Sequence, residues 1–269
     1  YRQSVKQSMR KGVFRMGDLI YSILRYEPSI VSGEKINLGA IFHYISTDYR
    51  EFFSISKWAR VSAFDDTLNI SLMKDLMQDI RLEMGTALDN PQFEIKKFCS
   101  RYNSELYFDT CTLLTDISEV DLSSQIEDIK KLYFQFEYDA SVRPNNDDQK
   151  KFLRRLLLSK QIAYTRNPAK TGLYGDTITY DFSFGEYGVV FFNLNNAKID
   201  NKTMNKVKAW AWNATNSTDG LKLLILYDLA DENRSEVRPA LEIFNSVAHK
   251  MINIHEGFSE VSPLLDVVS

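Results

Sequence analysis

The chain has 269 residues, with 33 Lys or Arg against 36 Asp or Glu, a net charge of −3, and a hydrophobic share of 44%. That share is enough for a sizeable core and excludes general disorder. Gly (11) and Pro (6) are scarce, so the elements should be long, which excludes a turn-rich sandwich and a collagen-like chain. No apolar run reaches the roughly 20 residues of a membrane span, and no membrane partner is expected. Residues 1–16 are basic and lack an apolar stretch, so they do not read as a secretory signal; they read as a flexible arm or expression remnant. Two cysteines, Cys99 and Cys111, make no disulfide framework, and the expected compartment is the cytoplasm. His43, His249 and His255 are scattered and no Cys/His pair has zinc spacing, so neither a metal nor another cofactor is expected.

In chain order, residues 18–26 read as a strand, 27–34 as a Pro/Gly loop, and 35–45 as a second strand in which Gly39 marks a bulge or close backbone approach. The aromatic alternation of 49–58 predicts a third strand, joined to the second by a short hairpin at Asp48. Helical spacing of Leu72, Met73, Leu76, Met77 and Ile80 predicts a helix over 67–84 capped by Asp65 or Asp66. Asn90-Pro91 should open a short helix, 105–110 a strand, and Ser124 to Glu127 a capping box for a helix burying Ile126, Ile129, Leu132, Tyr133 and Phe136. Residues 140–149 are polar and aperiodic and mark a boundary, giving an N-terminal α+β domain over 17–142 and an α/β domain over 148–269. The second half is expected as helix 148–160, strands 161–166, 176–184 and 187–195, helix 200–216, strand 221–228 and a long helix 235–254.

Two stretches carry a resemblance. Ile20 to Pro28, running on to Gly33-Glu34-Lys35-Ile36-Asn37-Leu38-Gly39, and Lys57 to Asp65, resemble a bacterial and phage domain-of-unknown-function family, number three-zero-three-seven. The resemblance covers residues 18 to about 110 and implies a phage or mobile-element setting without a settled activity. Arg25, Glu34 and Asn37 lie in the matching motif. One reading is structural, with Arg25 pairing Glu34 across strands and Asn37 tying down the loop. The other is a polar recognition pocket, since Arg suits carboxylate or phosphate and Asn an amide or base edge.

The element order from 148 onward resembles the PD-(D/E)xK nuclease fold, an αβββαβα core whose active members hold a divalent metal on carboxylates. The resemblance places the second-strand acid at Asp181 and the Glu-x-Lys pair at Asn193-Leu194-Asn195, with Lys198, Lys202 or Lys206 standing in for the missing Lys from the following helix. Neutral amides are poor magnesium anchors, so an inactive scaffold is expected, and Mg²⁺ only if the nuclease alternative holds. Lys151, Arg154 and Arg155 share one helical face, and Lys198, Lys202 and Lys206 recur every four residues. Both stripes are candidate phosphate contacts or ordinary solvated faces. The leading expectation is a non-enzymatic interaction protein acting in phage–host conflict, with a protein partner first and nucleic acid second. A metal-dependent nuclease and a small-molecule sensor built on Arg25, Glu34 and Asn37 are the alternatives. Oligomeric state is not legible.

Overall fold

The computed structural model describes residues 16–29, 31, 33–85, 90–175, 177–195, 200–216, 220–255 and 257–268. The N-terminal arm expected over 1–16 lies outside them except for Met16. The protein is a mixed α and β fold built on two five-stranded sheets.

The first sheet comes from β1 (Met16–Tyr26), β2 (Ile36–Tyr44) and β3 (Tyr49–Ser54). After helices α1 (Ala59–Phe64), α2 (Ile70–Met84) and α3 (Ile95–Cys99) it is completed by β4 (Leu106–Phe108) and β5 (Thr112–Ser118), followed by helix α4 (Leu122–Tyr133). All its pairings are antiparallel. β2 lies between β1 and β3, and the other edge of β1 is shared: β5 covers Met16–Tyr21 and β4 covers Leu24–Tyr26. All of β2 is buried. The register of β1 against β2 slips between Leu24 and Arg25, opposite Gly39 and Asn37, which is the bulge expected at Gly39. A Cβ there would stand 2.6 Å from the Phe53 carbonyl oxygen, so the neighbouring strand excludes any side chain.

Local chemistry moves several boundaries. β3 ends at Ser54; the Ile55 amide still reaches the Leu38 carbonyl of β2 at 2.9 Å, and α1 begins soon after. Asn69, not Asp65 or Asp66, caps α2 by accepting from the Leu72 amide at 3.1 Å; Asp65 is engaged by the Tyr26 hydroxyl instead. The helix expected from Asn90 begins only at Ile95. β5, Thr112–Ser118, has no counterpart among the strands that the sequence pattern predicts. α4 begins two residues before Ser124, so that capping box is unused.

The second sheet follows α5 (Asn146–Ser159), whose start is fixed by reciprocal bonds between Asn145 and Asp148. It contains β6 (Tyr164–Arg166), a side hairpin of β7 (Ala169–Thr171) and β8 (Thr177–Thr179), then β9 (Phe182–Phe184), β10 (Tyr187–Asn193), α6 (Asn201–Asn216), β11 (Lys222–Asp228), α7 (Arg238–Val247), β12 (Lys250–Asn253) and α8 (Val261–Val268). The strand order is β12-β11-β10-β9-β6. β6, β9 and β10 pair antiparallel, whereas β10, β11 and β12 are parallel. The strand expected over 176–184 is thus two strands parted at Tyr180–Asp181. The helix expected over 235–254 is α7 and then β12, whose residues pair with Leu224–Tyr227.

Period-2 alternation sorts β10 and β11 onto two faces. Val189, Phe191, Leu224 and Leu226 join the core that holds the first sheet, α4, α5 and Phe258. Val190, Phe192, Leu223 and Ile225 form a second core with Val207 and Trp210 of α6 and Ala240 and Phe244 of α7. Strands covered on both faces require near-continuous apolar sequence, as in VVFF and LKLLILY. α5 contributes Phe152, Leu153, Leu156 and Leu157 to the first core, so apolar packing runs without a break from one sheet to the other.

Candidate functional site

In open α/β sheets, ligands gather at the carboxyl ends of parallel strands. Here those ends converge on Asp228, the last residue of β11, which is 3% exposed. Two equal turns flank it. After β10 the Asn193 side-chain oxygen accepts from the Asn195 amide at 3.0 Å; after β12 the Asn253 side-chain oxygen accepts from the His255 amide, also at 3.0 Å. Asn closes such Asx turns readily. Each turn brings the residue two positions on to Asp228 Oδ1: Asn195 Nδ2 donates at 2.7 Å and His255 Nδ1 at 2.5 Å. From α5, Gln149 Nε2 donates to Asp228 Oδ2 at 2.9 Å. Burial pushes the Asp228 carboxyl up, but His255, Asn195 and Gln149 together outweigh it and hold it below the ordinary carboxylate range.

The surrounding loop is equally fixed. Asn195 Oδ1 accepts from the Ala230 amide at 2.7 Å, and Asn253 Nδ2 donates to the Leu229 carbonyl and to Glu232. Glu232 also accepts from the Tyr227 hydroxyl at 2.8 Å; burial first, then Glu232, pushes that phenol up. Gln135, just beyond α4, donates to the His255 carbonyl, and the Phe136 ring meets the imidazole edge-on.

His255 lines a cleft of about 400 Å³ that the two sheets share. The second sheet supplies Glu232, Asn253 and His255, and the first supplies Arg25, Glu34 and Lys35. Arg25, bulged at the end of β1, is 4% exposed and donates from Nε to Asp109 Oδ2 at 2.8 Å. Lys35 faces Glu260 at 3.5 Å. His255 is 7% exposed, and its Nε2 has no hydrogen-bond partner among the described residues.

The structure therefore brings Arg25 and Glu34 to one cleft, with Asp109 as the partner of the Arg25 Nε. Asn37 is elsewhere: its Nδ2 donates to the Tyr133 carbonyl at 3.0 Å, and it lines a neighbouring cavity of about 220 Å³ beside Tyr133 and Phe136. Asp181 takes Lys150 Nζ at 2.8 Å on one oxygen and the Phe191 amide at 2.8 Å on the other. Asn193 is exposed, while Asn195 turns onto Asp228. Of the first basic face, Lys151 pairs with Asp148 at 3.2 Å, Arg155 with Asp128 at 3.1 Å, and Arg154 Nε donates to the Tyr164 hydroxyl. Of the second, Lys202 and Lys206 are exposed on α6, and Lys206 Nζ stands 5.0 Å from the Phe192 ring centre; Lys198 lies outside the described residues. Among the described residues no group of three or more His, Cys, Asp or Glu could hold a metal ion, and no helix is long and apolar enough to cross a membrane.

Sequence reasoning missed Asp228, His255, Gln149, Asn253 and Glu232. A signal existed: an acid closes the apolar run LKLLILYD, and Asn-x-Asn at 193–195 is echoed by Asn-x-His at 253–255.

Residues 21–103 match the model of a family described as Protein of unknown function (DUF3037). The match runs from β1 through α3 and stops before β4. No curated protein and no solved structure matches the chain.

Proposed function

We propose that this chain is a recognition protein that binds a small polar molecule in the cleft between its two sheets. The carrying observation is that Arg25 from β1 and His255 from the turn after β12, both buried, line one cleft. Its volume falls in the range of small-ligand sites, roughly 300–1,000 Å³. With His255 Nδ1 directed to Asp228, Nε2 is the ring nitrogen left for a ligand. Glu34, Glu232 and Glu260 outnumber Arg25 and Lys35 along the walls, and both cations already face carboxylates. That balance supports a ligand rich in donors, an amine or a polyol, over the carboxylate or phosphate that Arg25 alone suggests.

With the β7–β8 side hairpin set apart, the element order α5-β6-β9-β10-α6-β11 supports reading the second half as a nuclease-like scaffold. Metal-dependent cleavage gains no support from the geometry. Asp181 is committed to Lys150 and the Phe191 amide, and Asn195 serves Asp228.

The test is thermal shift and calorimetry with polyamines, aminosugars and nucleosides, on wild type and on Glu34→Gln and Glu232→Gln. A bound compound should raise Tm, and each substitution should weaken it about tenfold, the equivalent of ~1.4 kcal/mol. A panel without a binder, or affinity unchanged in both variants, would sink the proposal.

A further inference from the structure

A second surface lies on the far side of the second sheet and owes nothing to the cleft. The Tyr174 and Trp212 rings stack there, with centroids 5.9 Å apart and planes 18° from parallel. They are 70% and 57% exposed, and Leu173 beside them is 57% exposed. The arrangement is fixed, since the Leu173 amide donates to the Asn216 carbonyl at 3.1 Å and ties the tip of the β7–β8 hairpin to the end of α6. Water-facing aromatics held in this way leave a flat apolar face uncovered.

The charge of α6 departs from that of the chain. α6 spans 16 residues and carries Lys202, Lys206 and Lys208 with no Asp or Glu, although the whole chain is net negative. All three lysines are exposed. Lys208 precedes Trp212 by four residues, which places the two on one helical face. The hairpin adds Lys170 on β7. Trp210, two residues from Trp212, is buried against the Tyr180 ring, so α6 divides its two tryptophans between core and surface.

We infer that the Tyr174–Trp212 pair and the lysines of α6 form a binding surface for single-stranded nucleic acid. Unpaired bases offer the π-faces that an exposed aromatic pair can stack on, and their phosphates complement an acid-free helix. A duplex hides those faces within its own stack, so the surface selects strands over duplexes. Aromatic stacking tolerates any base, so little sequence preference is expected.

The experiment is fluorescence anisotropy with labelled 12-nucleotide oligo-dT and oligo-U, and with a 12-base-pair duplex, at two salt concentrations. Wild type should bind a single strand at least about tenfold more tightly than the duplex, and the two oligomers tell whether DNA or RNA is preferred. Trp212→Ala and Tyr174→Ala alter exposed side chains and should keep the wild-type Tm, while weakening binding about fivefold to hundredfold. Replacing Lys202, Lys206 and Lys208 with Ala should flatten the log–log salt slope by about two, at roughly 0.7 per lost contact on a single strand. Absence of binding at low salt, equal affinity for duplex and strand, or full affinity in Trp212→Ala would overturn the inference. A surface that instead captures a second copy of the chain would show as a dimer in wild type and a monomer in Trp212→Ala, and would overturn it as well.

Discussion

Asp228 is a carboxylate that the fold has taken out of water and surrounded with donors. An ionised group in that position is tolerated only when its oxygens are bonded, and His255, Asn195 and Gln149 supply those bonds. Asp228→Ala should therefore destabilise the protein by about 3 kcal/mol, since it leaves two buried donors and the half-buried Asn195 amide without their acceptor; chemical denaturation measures this. The pH dependence has a definite sign. The folded-state pKa lies below its ordinary value, so the unfolded chain binds the proton more readily. The contribution of Asp228 is complete above the unfolded value of about 4 and is lost as pH falls through the folded value. A wild-type acid-denaturation profile that coincides with that of Asp228→Asn would show that the carboxylate carries no such linkage. His43 acts with the same sign at higher pH. Burial holds its ring below the ordinary imidazole range despite Asp48, so its contribution wanes as pH falls below about 6.5.

At the scale of elements, local signals were legible where one residue type had one use. Gly39 announced a bulge, and the apolar runs of β10 and β11 announced buried strands. Elements set by distant partners left weaker marks. β12 is recognisable only from its pairing with β11, because Ala248-His249 breaks the amphipathic run of α7 without Gly or Pro. β5 exists because β1 has an edge to fill. The cleft was half legible: Arg25 and Glu34 stood out in a motif, whereas Asp228 and His255 are single residues joined only by parallel pairing. Gly39→Ala tests the bulge. The added Cβ would contact the Phe53 carbonyl at 2.6 Å and the Phe52 ring at 3.0 Å, so β3 must shift, at a cost of about 1–3 kcal/mol. A variant as stable as wild type would show that β3 yields freely.

At the scale of the molecule, the boundary at 140–149 separates two sheets in sequence but not in packing. α5 lies beyond that boundary, yet it buries Phe152, Leu153, Leu156 and Leu157 in the core of the first sheet. Gly257, at φ 101, lies against the Tyr133 ring of α4, where a Cβ would approach to 2.2 Å, so the loop before α8 also meets the first half. We expect unfolding in one cooperative transition, with the same midpoint by far-UV dichroism and tryptophan fluorescence. Two resolved transitions would show the halves to be separate folding units.

The shared edge of β1 has a consequence for modularity. The matched stretch, residues 21–103, contains β1 from Tyr21 onward with β2 and β3, but neither β4 nor β5. Within this chain, β4 and β5 occupy the far side of β1. A protein carrying the matched stretch alone would present that side of β1 as a row of unpaired amides and carbonyls, which invites edge-to-edge association. The stretch is thus a sheet that must be finished by its host. Here the host finishes it with two short strands, and the Arg25–Asp109 ion pair, which spans β1 and the residue after β4, fastens the graft beside the cleft.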